Sequence, residues 1–254
     1  MIVFNDRKRS AMEYHRLASV VVGFCILMSA SEAVLQREDD NYLRVVTRNI
    51  FLDAGAHDRR SQIVAIRDYL RSHISYHGAP YWDRPFLRDT AVDTLRTGLG
   101  YCGEDTRAFI CMAATDGIWA QRINLVGRDL HVVAEAEVTP GDDVIVDCQN
   151  PPHIRDLESL DQVMQRPEYS DYYTLNLRRF RVAWLIARLK LQMGPLTFWT
   201  ENPHAMKAVL WGVPVILMAL GVALRRLLRH VLHRRGWVHL SNMDRHLVTR
   251  DPSP

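Results

Sequence analysis

The apolar positions of the chain gather into two long stretches near its ends. The first runs from Leu17 to Leu35, contains Glu32 as its one charged residue, and follows a basic segment. A basic segment, an apolar segment and small residues are typical of a secretory signal, but about nineteen residues also make a marginal membrane span. Residues 1–37 are therefore predicted to form a signal anchor or a signal peptide. The anchor is favoured because Ser31-x-Ala33 is a weak cleavage site.

The second apolar stretch, Ala208 to Leu224, has seventeen residues without a charge and is bounded by basic residues. Trp199 and Trp211 stand where aromatic side chains often mark a membrane interface. We predict a transmembrane helix over residues 201–228 and a basic cytoplasmic tail over residues 229–254. For both apolar stretches the alternative is a buried core helix of a cytosolic protein.

Between these stretches the pattern is that of a soluble domain with helices first and strands later. Apolar residues recur at helical spacing around Tyr42–Phe51, Asp58–Ile74, Ala91–Thr97, Glu104–Gly117 and Leu177–Met193. Short runs rich in β-branched residues at 123–126, 131–138 and 144–146, with a turn at Pro140-Gly141, predict an antiparallel meander. The expected class is α+β, with helices packed on an antiparallel sheet. The basic face of the helix at Leu177–Met193 is either solvated or in contact with lipid head groups.

The composition and motifs of the chain argue against several kinds of function. The net charge is only +3, and no basic stripe interleaved with aromatic residues lies in the middle of the chain, which argues against a nucleic-acid partner. The four cysteines contain no C-x-x-C pair, so a structural zinc site is not expected. His73 and His77 have the spacing of a metal pair on a helix, but no third ligand of suitable spacing follows. We therefore expect neither a metal nor a cofactor.

One thiol lies at a change of structure. Cys102 follows Gly98 and Gly100 and precedes Gly103, directly before a predicted helix. A sulfur at a helix N-terminus is favoured as the thiolate, and backbone N–H groups there can stabilise an oxyanion. A cysteine beside glycines can equally be a small buried core residue.

The predicted hairpin supplies the partners that such a thiol needs. His131 begins one strand and Asp147 ends the next, so a turn at Pro140-Gly141 brings them together at one end of the sheet. A base beside the thiol and a carboxylate that orients the base are the requirements of a nucleophilic triad. The three residues converge if the helix after Cys102 packs on the face of the sheet that carries His131.

The segments around these residues resemble the transglutaminase-like superfamily, whose papain-like α+β fold carries Cys, His and Asp in that chain order. The matching segments are Gly100-Tyr101-Cys102-Gly103, Gly117-Ile118-Trp119-Ala120-Gln121-Arg122, Leu130-His131-Val132-Val133 and Val144-Ile145-Val146-Asp147. The resemblance covers about Asp58 to Pro152, within a domain that we place at residues 38–200. It implies acyl transfer through a thioester, with Cys102 as nucleophile, His131 as general acid and base, and Asp147 as the residue that orients His131.

The chain departs from the family pattern at two places. Val133 stands where many members have an aromatic residue, and Cys148 stands where a small or polar residue is usual, which leaves substrate preference open. No acidic loop of the calcium-binding kind is present in the sequence, so calcium dependence is not expected. Tyr101, Gly103 and Trp82 are expected to contact the substrate.

Three further residues near the thiol have plainer expectations. Glu104 and Asp105 would complement the dipole of the helix, and Arg107 would pair with them or with solvent. Cys111 and Cys148 are expected to be core thiols, with a disulfide between them as the alternative outside the cytoplasm.

Together these patterns predict a membrane-anchored cysteine enzyme, either a hydrolase or an acyltransferase. Its partners would be a peptide or protein amide substrate, membrane lipids, and proteins of envelope or polysaccharide assembly. Basic residues beside both apolar stretches place the domain on the periplasmic side of the cell inner membrane. The competing hypothesis is a non-catalytic scaffold that uses the same cleft to bind a partner in cell-envelope or exopolysaccharide assembly.

Overall fold

A computed structural model of the chain describes residues 3–77, 89–126, 130–169, 173–174, 198–199 and 201–235. Contacts divide the chain into two units, Ala30–Ala208 and the pair Met1–Ser29 with Val209–Pro254. Trp82 and the predicted helix at Leu177–Met193 lie outside the described residues.

Six α-helices and six strands build the described part of the chain. The helices are α1 Val3–Ala54, α2 Arg59–His73, α3 Ala91–Thr97, α4 Cys102–Thr115, α5 Leu160–Gln165 and α6 Pro203–Arg234. The strands are β1 Ser75–Tyr76, β2 Leu99–Gly100, β3 Ala120–Val126, β4 Leu130–Thr139, β5 Asp142–Val146 and β6 Tyr173–Thr174. A short 3-10 helix covers Pro167–Tyr169.

The four-stranded sheet has the strand order β5-β4-β3-β6 and is antiparallel throughout. Strands β4 and β5 pair with Ala134 opposite Val146, and their register shifts between Glu137 and Thr139, just before the Pro140-Gly141 turn. A separate two-stranded parallel ladder joins β1 to β2. The expected helices followed by an antiparallel meander are therefore confirmed.

Helix α4 packs in the main hydrophobic core, where α2 lies on one side and the sheet on the other. Phe109 and Met112 of α4 are fully buried beside Ile66, and each such side chain contributes about 1.5–3 kcal/mol relative to an exposed one. Ala134 and Ala136 of β4 belong to this core, whereas Val133 belongs to a second cluster with residues after β5. Side chains alternate along a strand, so α4 packs on the face opposite Val133, and the condition under which the three residues would converge, α4 on the His131 face, is not met.

Two helices have long apolar surfaces. The segments Arg16–Ala54 and Pro203–Arg234 each reach a mean hydropathy of 2.0, and only 11% and 0% of their most apolar windows is buried. By length and composition both can cross a membrane. In their unit, Phe24 and Trp211 meet edge to face at 5.6 Å. Apolar surface left so exposed favours membrane association, and the expected fold class of an α+β domain flanked by two such helices is confirmed.

Helix α1 runs without a break from the apolar N-terminal stretch into the domain, where Leu43, Ile50 and Phe51 enter the core. The next helix begins at an N-cap, because Asp58 accepts from the Ser61 backbone N–H at 3.0 Å. The predicted boundaries at residues 37 and 200 stay predictions, while the contacts assign Ala30 to Ala208 to one unit.

Candidate active site

Cys102 is the first residue of α4, two positions before the predicted start of the helix. Two glycines before this helix are required by the backbone conformation and by the space available. Gly98 caps α3 in the left-handed region with φ +63°, and a Cβ on Gly100 would lie 2.5 Å from the Asp105 carboxylate. The Tyr101 backbone N–H donates to Glu104 Oε2 at 2.7 Å, which fixes the first turn. The Cys102 thiol is half-buried, whereas Cys25, Cys111 and Cys148 are buried.

His131 and Asp147 form a buried pair. The His131 Nε2 atom lies 3.0 Å from Asp147 Oδ2, and the two residues are 3% and 1% exposed. Asp147 also accepts three backbone N–H bonds, from Gln149 at 3.1 Å, His153 at 2.7 Å and Ile154 at 2.9 Å. A carboxylate with this many donors is held in one orientation, and it can fix the ring of His131.

Arg71 of α2 holds the segment that follows β5. Its Nε donates to the Asp147 carbonyl at 2.9 Å, and its Nη2 donates to the Ile154 carbonyl at 2.9 Å. In return, the Asn150 side chain donates to the Arg71 carbonyl at 2.9 Å. The turn that presents N–H groups to Asp147 is therefore fixed from α2.

Thr106 brings the first turn of α4 to strand β4. Its hydroxyl lies 2.7 Å from the Cys102 carbonyl and 3.1 Å from the Val132 carbonyl, next to His131. At this junction the Cys102 side chain lies near enough to His131 to help raise the pKa of the imidazole. Cys102, His131 and Asp147 thus come together where α4 begins, although α4 packs on the opposite face of β4 from His131.

The pair is charged at neutral pH. Burial alone would lower the pKa of His131, but its hydrogen bonds to Asp147 and Cys102, together with their charges, raise it to about 9. Burial would raise the pKa of Asp147, but the hydrogen bond and charge of His131 and the backbone donors keep it below its ordinary value. An imidazolium beside a thiol favours the thiolate form that attacks a carbonyl.

Sequence patterns missed one residue of the site, His153. Its exposed ring stacks on that of His131 with centroids 4.4 Å apart and planes 18° from parallel. Its carbonyl accepts from the buried Tyr169 hydroxyl at 3.1 Å. His153 therefore covers the outer face of His131. No local pattern marks it, since it lies in a proline-containing turn after β5.

The predicted substrate contacts have different surroundings. The Tyr101 ring packs edge-on against Tyr76 at 5.3 Å, and the Gly103 carbonyl accepts from Arg122 Nη2 at 2.9 Å. Trp82 lies outside the described residues. Contact of these three with a substrate stays a prediction.

Two charged residues on α4, Asp105 and Arg107, differ from their expected roles. Asp105 is 1% exposed, its Oδ1 has no hydrogen-bond partner among the described residues, and burial, with the charges of Glu104 and Asp147, raises its pKa to about 8. It is therefore mostly a neutral acid near pH 7, not a charge on the helix dipole. Arg107 donates to the Asp89 carbonyl at 2.7 Å and lies 3.5 Å from Glu201, so the expected pairing with Glu104, Asp105 or solvent is wrong.

All four cysteines, each within the described ranges, are free. Burial, with the nearby charge of Glu201, raises the pKa of Cys111 to about 12. Burial likewise raises the pKa of Cys148 well above its ordinary value. These thiols are poor nucleophiles compared with one at a half-exposed helix terminus. In the described part of the chain, no group of three or more His, Cys, Asp or Glu side chains is placed to hold a metal ion.

Comparisons with known proteins agree with this arrangement at the level of the family. The model of the transglutaminase-like superfamily matches residues 47–148, and no curated protein matches the sequence. Among solved structures, a proposed cysteine protease from Cytophaga hutchinsonii is 18% identical over 46% of this chain and 40% of its own, with a TM-score of 0.38. A proposed protease from Parabacteroides distasonis is 15% identical over 48% of this chain and 26% of its own, with a TM-score of 0.37.

Calcium-bound LapG from Legionella pneumophila is 12% identical over 58% of this chain and 81% of its own, with a TM-score of 0.40. The chain thus spans less than half the length of the Cytophaga and Parabacteroides proteins. The family model match contains the thiol, the histidine and the aspartate described above. The family resemblance is therefore shown over residues 47–148, which match the model of the transglutaminase-like superfamily.

Proposed function

We propose that the chain is a membrane-anchored cysteine enzyme that cleaves or transfers acyl groups at amide bonds through a thioester on Cys102. The observation that carries the proposal is the buried His131–Asp147 pair, with its 3.0 Å contact, beside a half-buried cysteine at a helix N-terminus that helps raise the pKa of His131. Each of the three groups has the partner that its role requires.

The reaction follows from these positions. The Cys102 thiolate attacks the amide carbonyl carbon, and the backbone N–H groups of Cys102 and Gly103, in the first turn of α4, can stabilise the developing oxyanion. The C–N bond then breaks, His131 gives its proton to the leaving amine, and a thioester remains. Water or a second amine attacks the thioester while His131 takes its proton. The carbonyl–sulfur bond breaks, and the acid or the new amide leaves the thiolate as it began.

Two features support a location at the membrane with the domain outside the cytoplasm. The apolar windows of α1 and α6 are almost entirely unburied. Basic residues precede the first apolar stretch and follow the second, which is the charge distribution expected if both ends of the chain face the cytoplasm.

Acyl-enzyme formation tests the chemistry. The detergent-solubilised chain is mixed with dimethylcasein as amide donor and with biotin-cadaverine as amine, quenched in acid and digested for mass spectrometry. We expect an acyl adduct on the peptide that contains Cys102, discharged by hydroxylamine and lost in Cys102→Ala. Biotin in the product indicates transfer, and free acid indicates hydrolysis. An unmodified Cys102 with dimethylcasein and with a broad peptide mixture would contradict the proposal and favour the scaffold.

Thiol labelling of intact cells tests the side of the membrane. Cys102 is the one half-buried thiol of the four, so a membrane-impermeant maleimide should label it and leave the three buried cysteines unmodified. We expect labelling of the wild type before lysis and none of Cys102→Ala. Labelling that occurs only after lysis would place the domain in the cytoplasm.

A further inference from the structure

Glu201 is a buried carboxylate shortly before the apolar helix α6. It is 2% exposed and lies two residues ahead of Pro203, where that helix begins. Arg122 of β3 binds it with both sides of its guanidinium: Nε donates to Oε1 at 2.8 Å, and Nη2 donates to Oε2. Arg107 of α4 approaches the same carboxylate, with Nε 3.5 Å from Oε2.

Arg122 also contacts the backbone next to the nucleophile. Its Nη2 also donates to the Gly103 carbonyl at 2.9 Å, and Gly103 directly follows Cys102. Its Nη1 lies so near that a Cβ on Gly103 would approach within 3.3 Å. A continuous set of polar contacts therefore leads from Glu201 through Arg122 to the backbone beside the thiol.

The residues after Glu201 are themselves fixed against α1. The Gln36 amide donates to Asn202 at 2.9 Å and accepts from the Ala205 backbone N–H at 3.1 Å. His204 pairs with Glu32 at 2.6 Å. The residues that directly follow Glu201 are thus held against α1, while the Glu201 side chain is held by Arg122, so Glu201 has a fixed position from which it can hold another residue in place.

A contribution to the stability of the fold does not by itself explain these buried charges. Taking a carboxylate and two guanidinium groups out of water carries a desolvation cost that apolar residues of the same volume would avoid. The charged arrangement fixes the orientation of the Arg122 guanidinium, because two of its nitrogens bind the Glu201 carboxylate. One of these nitrogens also donates to the Gly103 carbonyl, next to Cys102.

We propose that Glu201 is a positioning residue for Cys102, acting through Arg122 and the Gly103 carbonyl. The proposal rests on the proposed function in taking Cys102 as the reacting group. It adds that the residues leading into α6 set the position of the nucleophile, so that this helix and the active site share one polar connection.

Alkylation of Cys102 tests the connection without an amide substrate. The full chain in detergent is treated with iodoacetamide between pH 5 and 9, and the rate of Cys102 modification is followed by mass spectrometry. We expect Glu201→Gln to slow the reaction about tenfold and to change its pH profile, because Cys102 loses its alignment with His131. Arg122→Lys should have a similar effect, since an ammonium can pair with Glu201 but cannot also reach the Gly103 carbonyl.

Glu158→Gln is the matched control, because Glu158 forms a partly exposed ion pair with Arg166, and both residues follow β5 in the chain. It should leave alkylation within about twofold of the wild type, which separates positioning from a general loss of an ion pair. Thermal unfolding shows whether each variant folds, and Arg122→Lys keeps the charge if Glu201→Gln does not fold. Wild-type rates and pH profiles in folded Glu201→Gln or Arg122→Lys would overturn the proposal. Failure of the proposed function would instead appear as absence of an acyl-enzyme in the wild type.

Discussion

Replacing Cys102 by serine should reduce kcat on an amide substrate by a factor on the order of 10³–10⁶, with little change in KM. The serine side chain is close to cysteine in size, but at neutral pH its hydroxyl is almost never ionised and so supplies almost no alkoxide for attack. His131 is already protonated by its contacts with Asp147 and Cys102, so it is a poor base for a hydroxyl that must lose its proton. The loss should therefore fall on the chemical step and leave binding intact.

Steady-state kinetics of the full chain in detergent check this expectation, with circular dichroism to show that the serine variant is folded. Cys25→Ala is the control, because Cys25 is a buried thiol in α1, in the other of the two units. It should retain the wild-type kcat. A serine variant within tenfold of wild type would remove the nucleophile from the proposed mechanism.

Changing Asp147 to asparagine should lower kcat by about 10²–10⁴-fold and destabilise the fold by about 3 kcal/mol. The amide has one acceptor oxygen, whereas the carboxylate receives donors on both oxygens, from Gln149 on one and from His131, His153 and Ile154 on the other. The NH₂ group of the asparagine must then face at least one of these N–H donors, with which it cannot form a hydrogen bond. The imidazolium of His131 also loses the charge that stabilises it.

The stability loss should depend on pH in a defined direction. The pKa of His131 is raised from 6.5 to about 9, so its contribution is full below pH 6.5 and is lost as the pH rises through about 9. The pKa of Asp147 is lowered from 3.8, so its contribution is present above that value and is lost at lower pH. The gap between wild type and Asp147→Asn should be widest between about pH 4 and 6.5 and narrower on either side.

Thermal unfolding across this range measures the gap, and Asp142→Asn is the control because Asp142 is exposed on the hairpin turn. For that variant we expect no pH-dependent difference. A gap for Asp147→Asn that widens steadily from pH 6 to pH 10 would contradict the assignment of the charged pair.

The three central residues could be found from sequence because each depends on short-range structure. A glycine-flanked thiol before a helix and a tight turn between two strands are local features, and the turn alone brings His131 and Asp147 to one end of the sheet. The face on which α4 packs is set by core volume, and the pattern of β4 does not reveal it. Both faces of that strand carry buried apolar residues, so alternation offered no choice between them.

Other features were beyond reach of the sequence for different reasons. The pairing of Glu201 with Arg122 joins residues 79 positions apart, and neither lies in a pattern that names its partner. The polar run from Gln36 to Asn41 suggests an interruption after the apolar stretch, yet α1 continues through it. Gln, Arg and Glu are good helix formers, so the polar run changes the environment of the helix but does not interrupt its backbone.

The position of Glu201 matters to anyone who wishes to prepare a water-soluble form of the protein. Hydropathy would put a truncation at residue 200 and discard everything after it as anchor. Glu201, Asn202 and His204 all contact the domain, and Ala205 is buried in it. The uncharged stretch does not begin until Ala208. A soluble fragment should therefore retain the first turn of α6, because the contacts of the domain continue past residue 200 to Ala205.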